Sequence, residues 1–85
     1  PAGLKISANM RIKGWMRRLE SVEKGNAAGA DSETLLAELE RLDVESAAKF
    51  MPRSMAHEYV DFRQFLHDMR DRVQTRDENP PAANS

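Results

Sequence analysis

Apolar residues in the first third of the chain recur at steps of three and four: Ile12, Trp15, Leu19 and Val22, with Met16 alongside. That spacing follows one face of an α-helix, not the alternation of a strand. It predicts a helix over residues 8–24, capped by Ser7 and stopped by Gly25, after an irregular lead at 1–6. Gly14 interrupts this helix at a cost of about 1 kcal/mol relative to alanine, and is expected where another helix approaches closely. Residues 25–30 (GNAAGA) read as a loop. A second stripe, Leu35, Leu39 and Leu42 with Leu36 beside it, predicts a helix over 32–50, capped by Asp31 or Ser32 and ended by Pro52. Ser46 falls on that stripe and thins it. The third stripe, Met55, Tyr59, Phe62, Leu66, Met69 and Val73, is the longest and is widened by Phe65. It predicts a helix over 55–74 behind a Ser54 cap, followed by a disordered tail at 76–85.

Three amphipathic helices joined by short connections favour antiparallel neighbours. Each alone is marginal in water, so mutual burial of the stripes must hold them. The expected fold is all-α: a small antiparallel three-helix bundle, a helical hairpin closed by a third helix, occupying residues 7–75. A chain of 85 residues allows one such domain. With no cysteine, a disulfide scaffold, a thiolate metal site and a cysteine nucleophile are excluded. No apolar run approaches the roughly 20 residues that span a bilayer.

Charge changes the picture more than composition does. Residues 1–24 carry six basic and two acidic side chains, residues 25–49 two basic and six acidic, and residues 50–85 five basic and six acidic. A basic first helix beside an acidic second one favours their pairing, although each exposed pair is worth only about 0–1 kcal/mol. The spacing also allows pairs four apart within a helix: Arg41 with Glu45, Glu45 with Lys49, and Asp68 with Arg72.

Candidate chemistry is sparse. His57 and His67 lie about 280° apart around one helix and cannot share a metal ion. His67 with Asp71 supplies two ligands where a zinc site needs more. No serine is marked as a nucleophile. Gly25 and Gly29 precede a helix without the lysine or the preceding strand of a phosphate loop. No catalytic residue, metal or cofactor is therefore expected. The cluster Arg11, Lys13, Arg17 and Arg18, with Lys5 and Trp15, can contact an anionic lipid surface, with the Trp15 ring at the interface. In the plainer reading Trp15 is core and the basic residues pair with the second helix. Nucleic acid is disfavoured, since no recognition or stacking motif accompanies the patch. Tyr59, Phe62, Phe65 and Leu66 are either core or a partner groove. Val44 and Val60 lie off their stripes, and with Phe65 they are candidates for a protein contact.

The run from Phe62 to Val73, FRQFLHDMRDRV, resembles the C-terminal segment of membrane-anchored TAXI-type TRAP transporter solute receptors. There an L-R-x-H-I-x-x-V-R-x-R-L pattern ends a small helical extension. Phe62, Arg63, Leu66, Met69, Arg70, Arg72 and Val73 fill corresponding positions, and Phe65 stands where the pattern has histidine. RIKGWMRRLESVE from Arg11 to Glu23 is similar to the family's basic stretch, and LLAELERLD from Leu35 to Asp43 to its acidic second helix. The resemblance covers about residues 11–73 and implies a cytoplasmic extension following the last membrane span, at the inner face of the membrane. The expected function is a non-catalytic protein-interaction or scaffolding module that binds a protein partner or itself. The alternative is a phosphate-binding module using the basic first helix.

Overall fold

Wherever the chain repeats its apolar residues at helical spacing, it is helical. The structure, a computed structural model, describes residues 2–49 and 51–78, and for residues 2–7 and 77 the backbone alone. Helix α1 spans Ala2–Ala27, α2 Ser32–Ala48 and α3 Ala56–Glu78, with a 3-10 turn at Arg53–Met55 leading into α3. There is no strand among the described residues. The expected three-helix bundle is the observed fold.

Pairings across the seams give the topology. Tyr59 meets Ser46, and Arg63 meets Asp43, so α2 and α3 run antiparallel. Trp15 stacks on Phe62 and Asn26 meets Arg76, so α1 and α3 run parallel. Helix α2 is therefore antiparallel to both neighbours. The core takes Ala8, Ile12, Trp15, Leu19 and Val22 from α1 and Leu35, Leu39 and Leu42 from α2. From the third segment it takes Met55, Phe62, Leu66, Met69 and Val73. Trp15 is only 4% exposed and its ring centroid lies 5.5 Å from that of Phe62. The indole is core, not the ring at a lipid interface that the sequence also allowed.

The helix ends depart from the expected ones, each for a local reason. Helix α1 begins at Ala2, so the lead is helical and Ser7 lies inside the helix. No proline or glycine pair separates residues 2–7 from the helix, and extending a formed helix is far easier than nucleating one. Its other end passes Gly25 and stops at Ala27. Gly29 holds φ +84, the left-handed conformation. Ala30 N donates to Gly25 O at 2.8 Å and Gly29 N to Asn26 O at 3.2 Å. Those two bonds form a Schellman C-cap, so Gly29 is the true stop signal. Gly25 serves another purpose: a Cβ there would lie 3.2 Å from Leu35 Cδ2, so it is Gly25 that lets helices approach. Gly14, expected in that role, has nothing within 4 Å of a built Cβ.

Helix α2 starts as expected, with Asp31 Oδ2 accepting from Thr34 N at 3.0 Å and from Thr34 Oγ1 at 2.9 Å. It ends at Ala48, short of the expected residue 50, with Lys49 extended at φ −98 and ψ 139. Phe50 lies outside the described residues. Helix α3 is not opened by a Ser54 side-chain cap. Ser54 sits within the 3-10 turn, which closes through Met55 N donating to Pro52 O at 2.9 Å. The helix runs to Glu78, so residues 76–78 are helical and not tail. The remainder of the expected tail, residues 79–85, lies outside the described residues.

Replacing Gly14 with alanine removes backbone entropy from the unfolded chain and meets no neighbour. It is expected to stabilise the fold by about 0.5–1 kcal/mol. Gly29→Ala is expected to destabilise it by about 1 kcal/mol, because alanine resists the left-handed conformation. Urea unfolding of the two variants should shift in opposite directions; a shared direction would contradict this account of the α1 terminus.

Candidate functional site

Helix α2 presents carboxylates on both flanks of its leucine stripe, and arginines from the neighbouring helices take them. On the α1 side, Arg18 Nε lies 3.0 Å from Glu38 Oε2, and its Nη1 lies 2.8 Å from Glu45 Oε2. Glu38 and Glu45 are seven apart, two turns along one helix face, so one guanidinium can bridge them. Hydrogen bonding to Glu38 chiefly, opposed by some desolvation and reinforced by Glu45, raises the Arg18 pKa. A cation with a raised folded pKa contributes its stability at every pH below its unfolded value. That contribution is lost only as pH rises through the folded value, far into the alkaline range, so salt is the practical variable at this seam.

The α3 side of α2 is better buried. Arg63 Nη1 lies 2.6 Å from Asp43 Oδ1 and also donates to Ser46 Oγ at 2.8 Å and to Asp43 O at 3.2 Å. Ser46 is fully buried; its Oγ donates to Asp43 O at 3.2 Å, and its own carbonyl accepts from Tyr59 OH at 2.7 Å. The serine that thins the second stripe is thus the hub of a polar node. Arg70 adds looser pairs to Glu40 at 3.6 Å and Asp43 at 3.7 Å. No buried side-chain nitrogen or oxygen among the described residues lacks a hydrogen bond. The pairs expected four apart within helices give way to partners across the seams. Glu45 goes to Arg18, and Arg72 goes to Glu23 at 3.7 Å, while Arg41 reaches Glu38 at 3.7 Å.

At the far end, Arg76 Nη1 donates to Asn26 O at 3.0 Å and Asn26 Oδ1 at 2.9 Å, and its Nη2 donates to Ala30 O. One side chain of α3 thereby bonds the Ala30 carbonyl and adds a second bond to that of Asn26, which already accepts from Gly29 N.

The expected basic cluster does not act as a unit. Arg18 is taken into the α2 seam, and Arg11 is half-buried on the same flank, seven residues earlier. Lys13 and Arg17 are exposed. By the helical period Lys13, Lys24 and Arg17 lie about 160°, 180° and 200° around α1 from Trp15, on the side facing away from the core. Arg11, Lys13, Arg17 and Lys24 make no ion pair among the described residues. Met10, 67% exposed and off the apolar stripe of α1, stands in the same outward row. The plainer reading, in which the basic helix pairs with the acidic one, holds among the described side chains for Arg18 alone; the Lys5 side chain lies outside them.

The proposed contact residues Val44, Val60 and Phe65 do not converge. Val44 and Val60 are exposed, at 60% and 56%. Phe65 packs half-buried against the core, on the flank of α3 where Arg72 meets α1, about 140° around the helix from Val60. Tyr59 and Phe65 are partly buried against the core that holds Phe62 and Leu66, so these aromatics form no open groove. His57 lies 3.5 Å from Asp61 in an exposed pair, and His67 is exposed. Among the described residues no three His, Asp or Glu side chains are grouped to hold a metal ion. No helix among them is long and apolar enough to cross a membrane.

Comparison of the chain with protein-family models, with curated proteins and with solved structures found no match.

The polar node on the α3 side makes a testable claim. Arg63→Ala strands Asp43 and Ser46 and is expected to cost about 2 kcal/mol. Ser46→Ala, which leaves the Arg63–Asp43 pair, is expected to cost about 1 kcal/mol. Chemical unfolding of both variants ranks them; an Arg63→Ala protein as stable as the parent would show that the node carries no net stability.

Proposed function

We infer that this chain is a non-catalytic helical interaction module that meets its partner through the outward face of α1. One observation carries the reading: among the described side chains, four of the five carboxylates of α2 are taken up by arginines of the fold, whereas of the α1 cations only Arg18 is. Glu38, Glu40, Asp43 and Glu45 each face an arginine, whereas Arg11, Lys13, Arg17 and Lys24 face no carboxylate within ion-pair reach among the described residues. Unmatched like charges on one helix repel one another, and a partner of opposite sign relieves that repulsion. The reading gives Val44 and Val60 no part, because isolated exposed valines are ordinary surface. On the resemblance of residues 11–73, the module is read as the cytoplasmic extension of a TRAP-type transport receptor.

A chain of net charge −1 and pI near 6.2 has little reason to bind a negatively charged resin at neutral pH. If the α1 face acts locally, the protein is nevertheless retained on a sulfonate cation exchanger at low salt. The double variant Lys13→Glu/Arg17→Glu is expected to flow through. Lys49→Glu/Arg53→Glu, with the same change in net charge at exposed positions off this face, is expected to be retained. Flow-through of the parent protein, or equal loss in both variants, would refute the reading.

A further inference from the structure

We propose that the outward face of α1 seats on a surface of anionic lipid headgroups. The proposal rests on the interaction-module reading and names its partner.

Geometry argues for an extended surface in preference to a small anion. Lys13 and Arg17 are about 6 Å apart along the helix axis, and Arg17 and Lys24 about 10 Å. Lys13 and Arg17, four apart, can share one phosphate, but a row that runs on to Lys24, about 16 Å from Lys13 along the axis, is met in full only by several headgroups. The face is also convex and straight, being the exposed side of a single helix. Glu20 is the one acid in the row, against Lys13, Arg17 and Lys24, leaving an excess of positive charge.

The composition of the face argues against a protein helix as occupant. Helix-on-helix docking draws its energy from an apolar stripe, and here the row offers only Met10 among Lys13, Arg17, Glu20, Ser21 and Lys24. The aromatic that could have stacked on a nucleobase, Trp15, is buried against Phe62. Headgroup contact needs neither a stripe nor a stacking ring. It needs exposed cations with long stems, and Met10 at the row's N-terminal end can enter between headgroups as a shallow apolar contact.

The rest of the molecule fixes the orientation. Asp61, Asp68 and Asp71 lie on the side of α3 away from the core and are exposed. A negative surface therefore attracts one side of the bundle and repels another, so the domain lands on α1 despite its net charge of −1.

The test is co-sedimentation of the full chain with sucrose-loaded vesicles, either of phosphatidylcholine alone or with about one third phosphatidylserine. Binding is expected only with phosphatidylserine, and is expected to fall on the order of tenfold when salt is raised from about 0.05 M to about 0.5 M. Lys13→Glu/Arg17→Glu should lose on the order of tenfold in partitioning, and Lys49→Glu/Arg53→Glu should not. Circular dichroism of each variant reports whether the bundle is intact. Equal loss in both variants, or binding to phosphatidylcholine alone, overturns the proposal. Absence from the vesicle pellet while α1-dependent retention on the sulfonate resin persists overturns the lipid assignment and leaves the interaction surface standing. Retention by a DNA duplex without vesicle binding does the same, in favour of a polynucleotide. Failure on both resin and vesicles removes the surface altogether.

Discussion

The arrangement of the molecule depends on α2 being held from both sides by arginines. Its leucines would bury comparably well at several registers along the apolar stripe of a neighbouring helix, since hydrophobic burial has no direction. Register comes from the carboxylates flanking the stripe. The short connection after Ala27 makes α1 and α2 antiparallel; Arg18 reaching both Glu38 and Glu45 then favours one register of α1, and Arg63 reaching Asp43 and Ser46 one register of α3. The apolar core supplies most of the cohesion, and the two seams select which of its packings is occupied.

This division of labour explains why the charge of α1 is left over. The acidic side chains of α2 lie on its flanks, where they face neighbours. The basic side chains of α1 are spread around the helix, so only the flank facing α2 can pair. Arg18 is on that flank; Lys13, Arg17 and Lys24 are on the far side. Opposite net charges on two adjacent helices thus do not cancel residue by residue. The surplus that remains is directional, and its direction is set by the same stripe, Ile12 to Val22, that buries the opposite face.

The stripes were legible in the sequence because burial imposes the helical period on residue type, and Trp15, Leu39, Phe62 and Val73 are all core as their spacing implied. The Asp31 cap was legible for the same kind of reason, a local bond within three residues. What was not legible depends on contacts across the fold. Gly14 and Gly25 look alike in sequence, yet only Gly25 faces another helix closely, and the difference lies in which way each points. Ser46 looked like a flaw in an apolar stripe until Arg63 and Tyr59 were brought beside it from residues 17 and 13 positions away. The pairs four apart within helices were sound local alternatives, but Glu45 and Arg72 meet residues of α1 instead, and Arg41 meets Glu38, three apart on its own helix. Met10 could have been found by placing it on the same wheel as Lys13 and Arg17.

Arg76 has a further consequence. Its guanidinium completes a turn whose carbonyl groups lie 50 and 46 positions earlier in the chain. During synthesis the α1–α2 hairpin leaves the ribosome first, with the Ala30 oxygen, and the Asn26 oxygen beyond its bond from Gly29 N, still turned to solvent. The hairpin turn is finished only when the last turn of α3 arrives, so the segment made early acquires its final order late.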